Sequence, residues 1–255
     1  MALLANKKAI VFGVANDHSI AWAIAQALQR KGAELALTYV GEAIEKRVRP
    51  LAEQLGVRTV LPCDVTKDED IAATFAALRE QCGWVDVVIH AVAFAQREEL
   101  KGRFIHTSRA GFHVAMDVSV YSLIGMARHV EPLMPNGGTL LTLTYFGAEK
   151  VLPNYNVMGI AKAALEASVR YLAWDLGPQK IRVNAISAGP LRTLSSAGIT
   201  GFKDMLHHHE ERAPLRRNVR VEEVADSAVY LCSDLASGVT GEVLHVDAGY
   251  NVVGM

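Results

Sequence analysis

Cysteine occurs only three times in the 255 residues, at Cys63, Cys82 and Cys232, odd in number and widely separated. No C-x-x-C spacing is present, so the thiols form neither a dithiol redox pair nor a cysteine zinc site. Reduced, mostly buried thiols in a cytoplasmic protein are the expectation. Charge of either sign is also missing as a surplus. Twenty-six Lys and Arg against 27 Asp and Glu leave a net charge of −1, without the basic face that a nucleic-acid binder needs. No stretch of about eighteen consecutive apolar residues occurs, so no membrane-spanning helix is expected. The first twelve residues carry Lys7 and Lys8 but no apolar stretch of signal-peptide length before Asn16 and Asp17. Twenty glycines and eight prolines, without period, exclude collagen-like and low-complexity architectures.

What is abundant is apolar surface. Hydrophobic residues make up 51% of the chain and charged residues 21%, enough to offset the entropy of ordering it. Lys8 to Phe12 reads as a strand ending at Gly13, and Ile20 to Lys31 as a helix closed by Gly32. The cycle continues with strands at 34–39, 58–61, 85–90, 138–144, 181–187 and 242–246. Helices are expected over 42–55, 68–81, 112–133, 155–176 and 222–232. Strands alternating with crossover helices must run parallel, and the near-continuous apolar character of VVIHAVAFA and GTLLTLT fits strands covered on both faces. The expectation is an α/β fold: a single doubly wound, Rossmann-type domain over residues 1–255, with a mostly parallel seven-stranded sheet. The only long irregular stretch, 191–220, is a candidate substrate lid.

Chemistry concentrates at the ends of the strands. Gly13-Val14-Ala15 with Ser19-Ile20 lies where the first strand meets the first helix, so backbone N–H groups there can receive a pyrophosphate. A tight turn without ligand is the plain alternative, because G-x-G-x-x-G is absent. Strand two ends at Tyr39-Val40 with neither the acid of an NAD site nor the cation of an NADP site, which favours NADH through the missing cation. Asp64, before Val65, can accept from an adenine amino group or cap the next helix; Thr66 or Asp68 suits the cap better. Tyr155 and Lys162 are seven residues apart. At 100° per residue they leave one face of a helix about 10 Å apart along its axis. An ammonium there is expected to lower the phenol's pKa by favouring phenolate. His207-His208-His209 is not expected to hold a metal, because consecutive helical residues diverge. Lys203, Arg216, Arg217 and Arg220 either dock an acidic carrier protein or form a solvated face diluted by Asp204, Glu210 and Glu211.

Tyr155-x6-Lys162, the opening Gly turn, Asp64-Val65 and Arg182-Val183-Asn184-Ala185-Ile186-Ser187 resemble the short-chain dehydrogenase/reductase superfamily. Tyr145 ten positions before Tyr155, Pro153-Asn154-Tyr155-Asn156-Val157-Met158-Gly159 and Ser187-Ala188-Gly189-Pro190-Leu191-Arg192-Thr193 are similar to its divergent branch, the bacterial NADH-dependent enoyl-acyl-carrier-protein reductases. The resemblance runs from residue 3 to 250. It implies that Gly13, Ser19 and Ile20 line the pyrophosphate, Val40, Asp64 and Val65 the adenosine, and Val92 the nicotinamide-side ribose. Lys162 would hold the ribose hydroxyls, Leu191, Arg192, Thr193, Leu194 and Ser195 the carboxamide edge, and Ala95 the acyl substrate. Tyr155 would face the thioester carbonyl. Tyr145 would either share the catalysis or pack the pocket wall. Ala91 and Ala93 stand where the family often has Ser and Gly, and Val40 where many members have Gln. The implied activity is reduction of the trans-2 double bond of enoyl thioesters in fatty acid elongation, by a cytoplasmic homotetramer acting on an acyl-carrier-protein substrate. A carbonyl or alcohol oxidoreductase of the superfamily and a non-catalytic NAD(H)-binding protein are the alternatives.

Overall fold

The computed structural model describes residues 2–193 and 201–254. Seven strands form one sheet: β1 (Lys8–Phe12), β2 (Glu34–Tyr39), β3 (Thr59–Pro62), β4 (Val87–His90), β5 (Gly138–Thr144), β6 (Ile181–Ala188) and β7 (Val243–Val246). Their order is β3-β2-β1-β4-β5-β6-β7, and every neighbouring pair is parallel. Each strand lies within about two residues of its expected bounds. The helices are α1 (Ile20–Arg30), α2 (Gly41–Gln54), α3 (Asp68–Cys82), α4 (Arg109–Met116), α5 (Ser122–Val130), α6 (Asn156–Leu176), α7 (Phe202–Arg212) and α8 (Val221–Cys232).

Alternation along β1 shows how the layers divide. Ala9 and Val11 point into a core shared with α1, α2 and α8, whereas Ile10 and Phe12 point into one shared with α3, α5 and α6. Helices therefore cover both faces, and that is why strand interiors tolerate unbroken apolar runs. Strand order reverses between β1 and β4, and ligands of such sheets bind outside the carboxyl ends of the strands at this point. Gly13 closes β1 there with φ +95°, and a Cβ on it would lie 2.0 Å from the carbonyl oxygen of Ala91, just after β4. Only glycine permits that approach.

Three expectations are corrected. The helix foreseen over 112–133 begins at Arg109 and is broken by a π-helical turn, Asp117–Tyr121, whose Val118, Ser119 and Val120 are buried. Residues 109–133 are long and apolar enough to cross a membrane, but 56% of the most apolar window is buried inside the fold, as in a core helix. Within the stretch read as irregular lies α7, whose polar FKDMLHHHEER carries too weak an apolar stripe to be recognised by period. The cap of α3 is neither Thr66 nor Asp68: Lys67 occupies that position without a side-chain bond.

Candidate active site

The carboxyl rim gathers most of the residues singled out in the sequence. Ser19 caps α1, its Oγ accepting from the Trp22 N–H at 3.2 Å and donating to the Asn16 carbonyl at 2.8 Å. No acidic residue lies in the first turn of α1, so its positive dipole end is not neutralised from within. A groove of about 530 Å³ runs from Ser19 and Leu191, Arg192 and Thr193 along the flank of α1 facing the start of α8 as far as Arg30, lined by Asp17 and Glu222 as well as Arg220. Two segments assigned to one dinucleotide thus border one space. Together with the close approach at Gly13, these features fit the pyrophosphate half of such a cofactor. Leu194 and Ser195 lie outside the described residues.

The adenosine-side residues are more dispersed. Val40 is the cap of α2 and 52% exposed. Val65 is buried in the core with Ile71 and Phe75. Asp64 turns one carboxylate oxygen back on Thr66, accepting from its N–H at 3.1 Å and its hydroxyl at 2.7 Å, and the other lies 3.7 Å from Lys67. Those contacts hold the Asp64 carboxyl below its usual range against the opposing effect of its burial. On α2, Lys46 pairs with Glu42 at 2.6 Å and Arg49 with Glu45 at 2.6 Å, while Arg47 is exposed. After β4, Val92 and Ala95 are half-buried, and the backbone of Phe94 between them donates to Ser119 Oγ at 3.1 Å, tying this loop to the π-helical turn.

Tyr155 occupies the cap position of α6, and Lys162 lies two turns further along it; both are buried. Tyr145 follows β5 directly, and its ring meets that of Tyr155 edge to face at a centroid distance of 5.2 Å. The Tyr145 hydroxyl donates to Met205 Sδ of α7 at 3.0 Å. Gly147 supplies the floor of the Tyr155 ring: a Cβ there would sit 2.4 Å from Tyr155 Cδ1. The Lys162 ammonium donates to the Leu143 carbonyl at 2.7 Å.

Burial decides the protonation states. It raises both tyrosines above the ordinary phenol value, Tyr155 further affected by Tyr145, and Tyr145 by Tyr250. The expectation that Lys162 draws Tyr155 toward phenolate is therefore overturned: burial raises the phenol, and the neighbouring group that acts on it is Tyr145, which raises it further. Tyr155 stays a hydrogen-bond donor at neutral pH. Burial lowers Lys162 to about 8, opposed by the charge of Glu166. His90, at the end of β4, is pushed down to about 3 by burial and then by Lys162. Its Nδ1 lies 2.8 Å from Thr142 Oγ1 and its Nε2 2.8 Å from Ser122 Oγ, so a neutral imidazole joins β4, β5 and α5.

Arg217 grips Glu223 through two hydrogen bonds of 2.8 and 2.6 Å, and Arg220 reaches the same carboxylate at 3.3 Å. Arg216 donates to the Glu211 carbonyl. Three of the four cations considered for carrier docking are thus engaged within the chain. His209 stacks on Tyr250 at 4.5 Å and His207 faces Glu211 at 3.2 Å; among the described residues no group of three metal-ligating side chains forms.

The sequence profile described as Enoyl-(Acyl carrier protein) reductase matches residues 13–251. The chain belongs to this reductase family. It is 57% identical over 253 residues, covering 99% of this chain and 93% of the relative, to enoyl-[acyl-carrier-protein] reductase [NADH] 1 of Rhizobium meliloti. Identity to the NADH enoyl reductase of Bacillus cereus is 55%, over the whole of both chains. Among solved structures, the enoyl reductase of Anaplasma phagocytophilum, in complex with NAD, superposes with a TM-score of 0.96 at 56% identity, covering 99% of this chain and 97% of that one. The Bacillus cereus enzyme with NADP+ and indole naphthyridinone gives 0.98 at 54%, covering 100% of both. Within the reductase site, sequence reasoning missed Gly147, Ser119, Met205 and Glu166. Only Glu166 left a signal, a carboxylate four residues past Lys162 on an otherwise apolar helix face.

Proposed function

We propose that this reductase uses NADH to reduce the trans-2 double bond of enoyl thioesters carried by acyl-carrier protein, and that Tyr155, Lys162 and the α1 N-terminus do the work of the site. When bound, NADH supplies a hydride from nicotinamide C4 to the substrate β-carbon. The amino end of α1, with Gly13, Ser19 and Ile20, holds the pyrophosphate. Val40, Asp64 and Val65 border the adenosine, and Val92 borders the nicotinamide-side ribose. Leu191, Arg192 and Thr193 meet the carboxamide, while the Lys162 ammonium holds the ribose hydroxyls. As negative charge collects on the thioester oxygen, the protonated Tyr155 hydroxyl donates to it, and protonation of the α-carbon completes the reduction. Tyr145 presses its ring on Tyr155 and fixes its direction. The acyl chain lies along Ala95.

Residues 1–255 act as one catalytic domain. The segment 191–220 serves as its lid, with α7 latched to the site through Met205 and Tyr145. The working form is a cytoplasmic homotetramer. NADH is favoured over NADPH because the tip of β2, Tyr39-Val40, carries no cation for a 2′-phosphate.

The observation that carries this reading is the convergence of Tyr155, Tyr145 and Lys162 at the end of β5 in a chain of the enoyl reductase family. The experiment is oxidation of NADH and NADPH by the purified protein with crotonyl and dodecenoyl thioesters, and with ketones. Enoyl thioesters are expected to be reduced with NADH, and ketones not. Turnover of ketones alone would assign the site to carbonyl reduction.

A further inference from the structure

One turn beyond Lys162, α6 carries a second buried charge. Glu166 lies four residues on, along the same side of the helix, and its Oε1 accepts from Thr144 Oγ1 at 2.7 Å. Thr144 follows Leu143, whose carbonyl takes the Lys162 ammonium at 2.7 Å. Two consecutive residues at the end of β5 therefore hold the two charges of α6, one through its backbone and one through its side chain. A buried carboxylate is costly and rare unless a cation and hydrogen bonds compensate it. We infer that Glu166 is a positioning residue that keeps Lys162 protonated and directed at the carboxyl rim, in the state able to hold the ribose of the cofactor. The inference rests on the assignment of Lys162 to that ribose.

The surroundings agree with this role. Burial brings the Lys162 ammonium down to about 8, and Glu166, one helical turn away, is the charge that opposes that fall. From β4, His90 faces Lys162 as a neutral imidazole and contributes no positive charge at pH 7. Tyr155 and Tyr145, both raised by burial, contribute no negative charge. Burial raises the Glu166 carboxyl, and Glu149 adds to that rise; the Thr144 hydrogen bond, His245 of β7 and Arg170 lower it. His245 Nε2 in turn lies 2.7 Å from Glu149 Oε1. Lys162, Glu166 and Arg170 form a row at intervals of four residues that climbs α6 from the interior to solvent.

The test is the NADH dissociation constant, measured by fluorescence titration from pH 6 to 10, for the full chain and its variants. In the parent protein, affinity is expected to fall as pH rises through about 8, as the free Lys162 loses its proton. Glu166→Gln keeps the volume and the acceptor for Thr144 but removes the charge. Its fall should begin about one pH unit lower, leaving binding about fivefold weaker at pH 8 and within about twofold of the parent at pH 6. Glu166→Asp, which keeps a carboxylate one methylene further back, should give an intermediate displacement. An unmoved limb in a folded Glu166→Gln protein overturns the inference. So does uniform weakening at every pH, the signature of a purely structural role. Should the Gln variant not fold, the Asp variant decides by the same limb. Lys162→Met separates the two readings, because NADH binding left unchanged by it would remove Lys162 from the cofactor altogether.

Discussion

Tyr155 and Lys162 sit on one helix in one buried site, yet burial moves them in opposite directions, the phenol up and the ammonium down to about 8. Both shifts favour the neutral form, since a low-dielectric interior penalises whichever state is charged. For Tyr155 the result is a donor that stays intact through the neutral range. Charge developing on a substrate oxygen is then met by a preformed O–H, without a proton having to be restored first. Tyr155→Phe should therefore lower kcat by about a hundredfold, the usual cost of losing one such donor. The KM for NADH should stay near the parent value, because the ring still packs on Gly147 and Tyr145 while Lys162 is untouched. Steady-state kinetics with an enoyl thioester measures both quantities. Unchanged kcat would remove Tyr155 from the reaction and pass the donor's role to another group, with the Tyr145 phenol the nearest at a ring distance of 5.2 Å. The sign of the Tyr155 shift was not legible in the sequence. Lys162 was visible there as a neighbouring charge, whereas the desolvation that sets the sign comes from residues distant in the chain.

At the scale of elements, strands and most helices were legible because each carries its period in its own residues. GTLLTLT and IRVNAIS needed no partner to be read as buried strands, and Ser19 announced the start of α1 by cap chemistry. α7 was not legible, since its place is set by contacts absent from its own pattern: Met205 on Tyr145, and His209 against Tyr250. The turn after β5 is a similar case. Gly147 reads as an ordinary loop glycine, but a Cβ on it would approach Tyr155 to 2.4 Å, and the adjoining Gly159 would bring one to 2.8 Å from the Gly147 carbonyl. Loop and helix are thus packed glycine to glycine beneath the phenol. Gly147→Ala should displace the Tyr155 ring and cost about 1–3 kcal/mol of stability, the range for overpacking a filled interior. The expected signature is a fall in kcat with NADH affinity nearly intact, accompanied by a lower Tm in a circular-dichroism melt. Full activity in that variant would mean that the ring can shift without losing its target.

For the molecule as a whole, the parallel sheet determines where the site lies, because every strand delivers its carboxyl end to the same rim. The same architecture leaves the outer side of α6 with nothing to cover it among the described residues. Tyr171 and Trp174 are 76% and 84% exposed there, and Ile160, eleven residues before Tyr171 and so just over three turns away, lies on the same stripe. Phe112 of α4 and Tyr121 of the π-helical turn are also exposed on this layer of helices. Apolar side chains gathered on one side of a fold mark an interface more readily than single ones scattered over a surface. Packing of this stripe against the stripe of a second copy would be isologous, each helix burying its partner's aromatics, as closed symmetric assemblies require. One such contact closes a dimer, so the proposed tetramer needs a second two-fold contact as well; with both formed, light scattering of the parent protein should give a mass four times that of the chain. Trp174→Glu, which sets a carboxylate in the middle of the stripe, should release smaller species while leaving the α6 contacts of Tyr155 and Lys162 in place, since those point to the opposite, buried side. A parent protein that is monomeric at micromolar concentration would refute the assembly. A tetramer unaffected by Trp174→Glu would move the contact to another face.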